Sequence, residues 1–138
     1  MNWIIYALLS ALFSSLVAIF GKIGLKDIDS TLATTIRSIV MALFLVTVSF
    51  SLGKFSMLES LNSKTLTFII LSGIAGAVSW LFYFLAIKIG PTSAVAAIDK
   101  TSIAFVFILA LLFLGESFTY MKAGGAILVV VGALLMVL

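Results

Sequence analysis

Read from the N-terminus, the chain is a succession of long apolar runs cut by short polar joints. Division at charges and helix breakers gives five runs, about 2–24, 30–52, 65–88, 91–114 and 118–138. Apolar stretches of about 20 residues match the hydrocarbon thickness of a bilayer, so each run is long enough to cross it as a helix. The joints carry boundary chemistry. Asp29 or Ser30 can cap the second helix, Ser63 the third, and Ser117 or Thr119 the fifth. Gly90 ends helix three, and Pro91 starts helix four near its first turn. No joint has room for a soluble domain. The pattern predicts an all-α integral membrane fold with five transmembrane helices in a single domain over 1–138. The first run, Trp3 to Ile23, lacks a basic leading segment and is too long for a signal-peptide core, so it reads as a retained helix.

Five crossings put the two termini on opposite faces. The face with the N-terminus carries Lys54, Lys64 and Lys122, and the other carries Lys22, Lys26 and Lys88. Orientation follows the excess of Lys and Arg near the span ends, and three against three is no bias. Balanced charge is what an antiparallel homodimer needs, since half the copies are upside down; weak charge counting in a small protein gives the same tally.

Composition narrows the chemistry. The chain has 138 residues, 64% hydrophobic and 9% charged, with no cysteine and no histidine. That removes disulfides, thiol nucleophiles, the usual zinc and haem ligands and the commonest general base, so no catalytic residue, metal site or cofactor is expected. A formal net charge of +3 spread over the joints gives no basic patch for nucleic acid.

The exceptions inside the spans are informative. Counting 1.5 Å per residue from the ends nearest Lys22 and Lys88 places Arg37 in helix two, Trp80 in helix three and Asp99 in helix four about 10–13 Å deep, with Ser14 of helix one near the same level. A charge at that depth costs at least about 2.5–3.5 kcal/mol on insertion scales, so it should face the bundle interior and find a partner. Arg37 and Asp99 match in depth and sign. Lys100 leaves the helix about 100° away from Asp99, so one carboxylate does not easily serve both cations. Arg37, Asp99 and Lys100 together leave one positive charge, which points to an anionic or zwitterionic ligand walled by Trp80 and Tyr83. The alternative is a ligand-free ion pair of Arg37 with Asp99, a snorkelling Lys100 and aromatics that simply pack. Hydroxyl pairs such as Thr34 and Ser38, four residues apart, commonly bond a backbone carbonyl or a neighbouring helix.

Small residues form a second pattern. Ser72, Gly73 and Gly76 lie in helix three, and Gly124, Gly125 and Gly132 in helix five. Gly125 and Gly132 are seven apart on one face, which suits packing within the chain or a dimer contact.

The strings SWLFYFLAIKIGPTSAVAAIDK, LFLGESFT and GGAILVVVGALL, in this order and ending the fourth span on Leu114–Glu116, resemble the EamA family of the drug/metabolite transporter superfamily over the whole chain. Longer members have ten helices in two inverted five-helix repeats, and this chain resembles one repeat, the half-size bacterial and archaeal type. The resemblance implies a transporter of the prokaryotic plasma membrane, completed by antiparallel homodimerisation, with its substrate site at the repeat interface near the midplane. The last helix also resembles the dimerisation helix of small multidrug resistance transporters. Those use a glutamate in helix one, where this chain has no acid, so toxic-cation antiport is not implied. Many EamA members carry a proline about where this chain reads Asp99 to Ile103.

The function expected from residues and resemblance together is secondary transport of a small anionic or zwitterionic metabolite by alternating access. Arg37, Lys100, Asp99, Trp80, Tyr83 and Ser14 are the candidate substrate-binding residues, and Gly125 and Gly132 the candidate dimer contact. The expected partners are the substrate, membrane lipids and a second copy of the chain, without nucleic acid. The rival is a lipid-translocating or accessory membrane subunit whose cations meet a lipid phosphate or a partner protein.

Overall fold

A computed structural model describes residues 2–138, with side chains from Trp3 onward. Six α-helices follow one another: α1 (Asn2–Gly24), α2 (Ser30–Ser51), α3 (Ser63–Ile89), α4 (Thr92–Asp99), α5 (Ser102–Phe113) and α6 (Tyr120–Leu135). A 3-10 helix, Lys54–Ser60, joins α2 to α3. Among the described residues there is no strand. Four stretches are long and apolar enough to cross a membrane: Trp3–Gly24, Ser30–Ser51, Ser63–Ile89 and Thr92–Phe113. The last helix, with 16 residues, is about 24 Å long, against a hydrocarbon core of about 30 Å.

The boundaries follow local chemistry. Asp29 caps α2, its Oδ1 accepting from the N–H groups of Thr31 and Leu32 at 2.9 and 3.0 Å. At α3 the expected cap moves by one residue: Asn62 Oδ1 accepts the Thr65 N–H at 2.7 Å, and Ser63 is already helical. Thr119 precedes α6 in extended conformation, without a side-chain cap bond. Gly115, at φ +66°, turns the chain out of α5 in the left-handed region that favours glycine.

The expected continuous helix over 91–114 is interrupted. Around Asp99–Ser102 the backbone bonds tighten to three-residue spacing: Lys100 N–H to Ala97 O, Thr101 N–H to Ile98 O, and Ile103 N–H to Lys100 O. Neither Pro nor Gly stands there. The Thr101 hydroxyl donates to the same Ile98 carbonyl at 2.7 Å, competing with the helical ladder for that acceptor.

The chain divides into two compact units, one of Gly21–Lys88 and the other of Ile89–Leu138 with the N-terminal segment ending at Phe20. In the first, Leu25, Phe84 and Ile87 are buried with Ser30 and Thr34, and the 3-10 helix packs back against α2. In the second, α6 packs against α4 and α5. The buried residues of these three helices are alanines: Ala94, Ala110, Ala126 and Ala133. Small side chains let helices approach closely where no hydrophobic effect drives them together. Large apolar side chains such as Phe44, Phe82 and Phe105 lie about two-thirds exposed, which suits a surface solvated by lipid rather than water.

Candidate functional site

Arg37 lies two turns into α2, half-buried. Its Cζ stands 3.7 Å from the centre of the Trp80 ring and 5.3 Å from that of Phe84. The rings come from one face of α3, because positions three and four apart are neighbours on a helix. Trp80 meets Tyr83 edge-on at 5.3 Å and Phe84 at 5.8 Å, and Tyr83 lies 6.2 Å from Phe84. Phe84 is 3% exposed and anchors the cluster. Gly21 lets it seat: a Cβ there would stand 3.2 Å from Phe84 Cζ.

This arrangement shields a charge without cancelling it. A guanidinium is planar and more weakly hydrated than an ammonium, so it can rest beside an aromatic ring and still offer N–H groups in the fork that matches a carboxylate or phosphate. Among the described residues of Gly21–Lys88, no carboxylate pairs with Arg37. The depth count set Arg37 and Trp80 at one level, and the structure brings them into contact. Phe84 carried no sequence signal beyond standing four residues after Trp80.

Asp99 and Lys100, at the interruption between α4 and α5, pair with each other: Lys100 Nζ lies 3.0 Å from Asp99 Oδ2. The four-carbon lysine stem spans the angle between adjacent positions, which the sequence reading treated as a barrier. Lys100 therefore has a carboxylate partner within its own unit. The side chains are 53% and 38% exposed. Ser14, half-buried in α1, belongs to the same unit as this pair.

Hydroxyls on α2 are satisfied inside the helix, Thr34 donating to Ser30 O and Ser38 to Thr34 O, both at 2.8 Å. Gly73, Gly76, Gly124, Gly125 and Gly132 have no atom beyond their own local backbone within 4 Å of where a Cβ would stand. Among the described residues, no group of His, Cys, Asp and Glu can hold a metal ion.

Comparison with known proteins agrees with this architecture. The profile of the EamA-like transporter family matches residues 1–138. The chain is similar to a protein of Sinorhizobium sp. named an uncharacterized transporter in the cobO 3' region, with 39% identity over 135 residues, covering 98% of this chain and 96% of that one. No solved structure matches the chain. A helical membrane protein matched from end to end by one family profile, and over nearly its whole length by a half-size relative named as a transporter, belongs to the EamA-like transporter family.

Proposed function

We propose that the protein is a secondary transporter of a small anionic or zwitterionic metabolite. It works by alternating access as an antiparallel homodimer of five-crossing protomers in the prokaryotic plasma membrane. The observation that carries the reading is the Arg37 guanidinium, 3.7 Å from the centre of the Trp80 ring and 5.3 Å from that of Phe84 in a membrane-length helix, with no carboxylate paired to it among the described residues of its unit. A cation kept there at such cost has a use, and a carboxylate or phosphate is what its planar fork fits. Membership of a transporter family supports transport as that use. The Asp99–Lys100 pair sits at the interrupted helix, and discontinuous helices of this kind line substrate sites in transporters built from inverted repeats. The fifth crossing is α6 with the apolar residues that follow it.

A ligand that binds the native state must raise its melting temperature, so a thermal-shift screen of metabolites on purified protein identifies the substrate class. The expected result is that anionic or zwitterionic hits vanish in Arg37→Gln, and that Arg37→Gln vesicles lose transport of the same compounds. Neutralising Asp99 and Lys100 together is expected to weaken transport less than Arg37→Gln does. Undiminished binding and transport in Arg37→Gln would falsify the assignment.

A further inference from the structure

A second cationic cluster lies in the unit Gly21–Lys88, apart from the Arg37 stack and unused by it. A cleft of about 610 Å³ is lined by Lys22, Ile23, Leu25, Lys26 and Lys88. It gathers the last turn of α1, the joint after it and the last turn of α3. Two of the lysines are fixed in place by neutral acceptors. Lys22 Nζ donates to Ile87 O at 2.6 Å and reaches Lys88 O at 3.4 Å, while Lys88 Nζ donates to Ile28 O at 2.7 Å. A carbonyl orients an ammonium group and leaves its charge in place.

Neither Lys26 nor Lys88 forms an ion pair among the described residues. The acids of this region are Asp27 and Asp29. Asp29 feels the Lys88 charge, but its Oδ1 is engaged in capping α2. Three cations against two carboxylates leave a positive cleft. Its wall is apolar: Leu25 is buried, whereas Ile23 is 69% exposed, on a helix long enough to cross the membrane. Cations grouped beside a bare isoleucine at the end of such a helix match an anion that carries its own hydrocarbon.

We propose that this cleft binds a phosphate-bearing anion, and that the anion is the headgroup of an acidic phospholipid. The ammonium groups of Lys22, Lys26 and Lys88 face the phosphate, and Ile23 meets the start of the acyl chains. A free phosphate would gain nothing from Ile23.

The test uses the full chain in nanodiscs of phosphatidylcholine doped with phosphatidylglycerol, released for native mass spectrometry so that retained lipids are counted. Retention of phosphatidylglycerol over phosphatidylcholine is expected, weakened about five-fold by Lys26→Gln and about as much again by adding Lys88→Gln. Lys26→Arg should retain the lipid. Lys88 also anchors the joint through Ile28, so Lys26→Gln, which breaks no such bond, is the decisive variant. A second arm adds inorganic phosphate: lipid retention that persists supports the headgroup, and displacement at low millimolar phosphate overturns it in favour of a soluble anion. Equal retention of the two lipids, or wild-type retention by Lys26→Gln, overturns the site.

Discussion

A guanidinium lying 3.7 Å over the Trp80 ring is held by the ring's quadrupole, an attraction of about 0.5–2 kcal/mol that grows as water is excluded. Removing either partner therefore removes the same interaction. In a double-mutant cycle of Arg37→Leu and Trp80→Leu, followed by unfolding in mixed micelles, a coupling of about 1 kcal/mol or more is expected; effects that simply add would show no stack. Depth counting made Arg37 and Trp80 legible together because rise per residue is nearly invariant along a helix. Phe84 was not legible, since one of 12 phenylalanines in an apolar chain looks like any other until packing selects it. The Lys100–Asp99 pair was not foreseen for a different reason: periodicity gives the direction in which a side chain leaves the helix, but a long flexible stem ends elsewhere.

Capping was readable to within a residue: Asp29 took the role that Asp29 or Ser30 could fill, and at the next helix Asn62 capped in place of the adjacent Ser63. The interruption at Asp99–Ser102 was not readable, because a Thr hydroxyl that bonds its own backbone is common inside continuous helices. Asp29 offers a test of a cap. Its carboxyl is held below the ordinary value of 3.8, chiefly by the Leu32 N–H, with the Thr31 N–H and the Lys88 charge acting the same way. A depressed pKa means that the ionised cap stabilises the fold fully above the ordinary carboxylate value and is lost as pH falls through the folded one. Asp29→Asn keeps a capping oxygen but cannot titrate. Its melting temperature is expected to fall less than that of wild type between pH 5 and about 3; parallel pH profiles would show that the cap is not the titrating group.

For the whole molecule, the open space beside Gly125 and Gly132 separates stability from assembly. A leucine at either position meets no atom of the same chain near its Cβ, so Gly125→Leu and Gly132→Leu should leave secondary structure unchanged. Cysteine cross-linking between copies along α6 should fall sharply in both, and undiminished cross-linking would place the dimer contact elsewhere. Reporter tags on each terminus are expected to appear on both faces of the membrane, as inverted pairing requires, whereas one face per terminus would exclude it. The two charge sites within the spans also differ in when they can form. Asp99 and Lys100 are neighbours in sequence, so their segment enters the bilayer with its counter-charge already aboard. Arg37 depends on Trp80 and Phe84, which leave the ribosome more than 40 residues later. With α1 and α2 alone fused to a glycosylation reporter, α2 should insert incompletely, and adding α3 should complete it; Trp80→Leu in α3 should undo the gain. The expected readout of that series is a waiting step in biogenesis, in which the second helix becomes stably inserted only once the aromatic face that accepts its charge has been made.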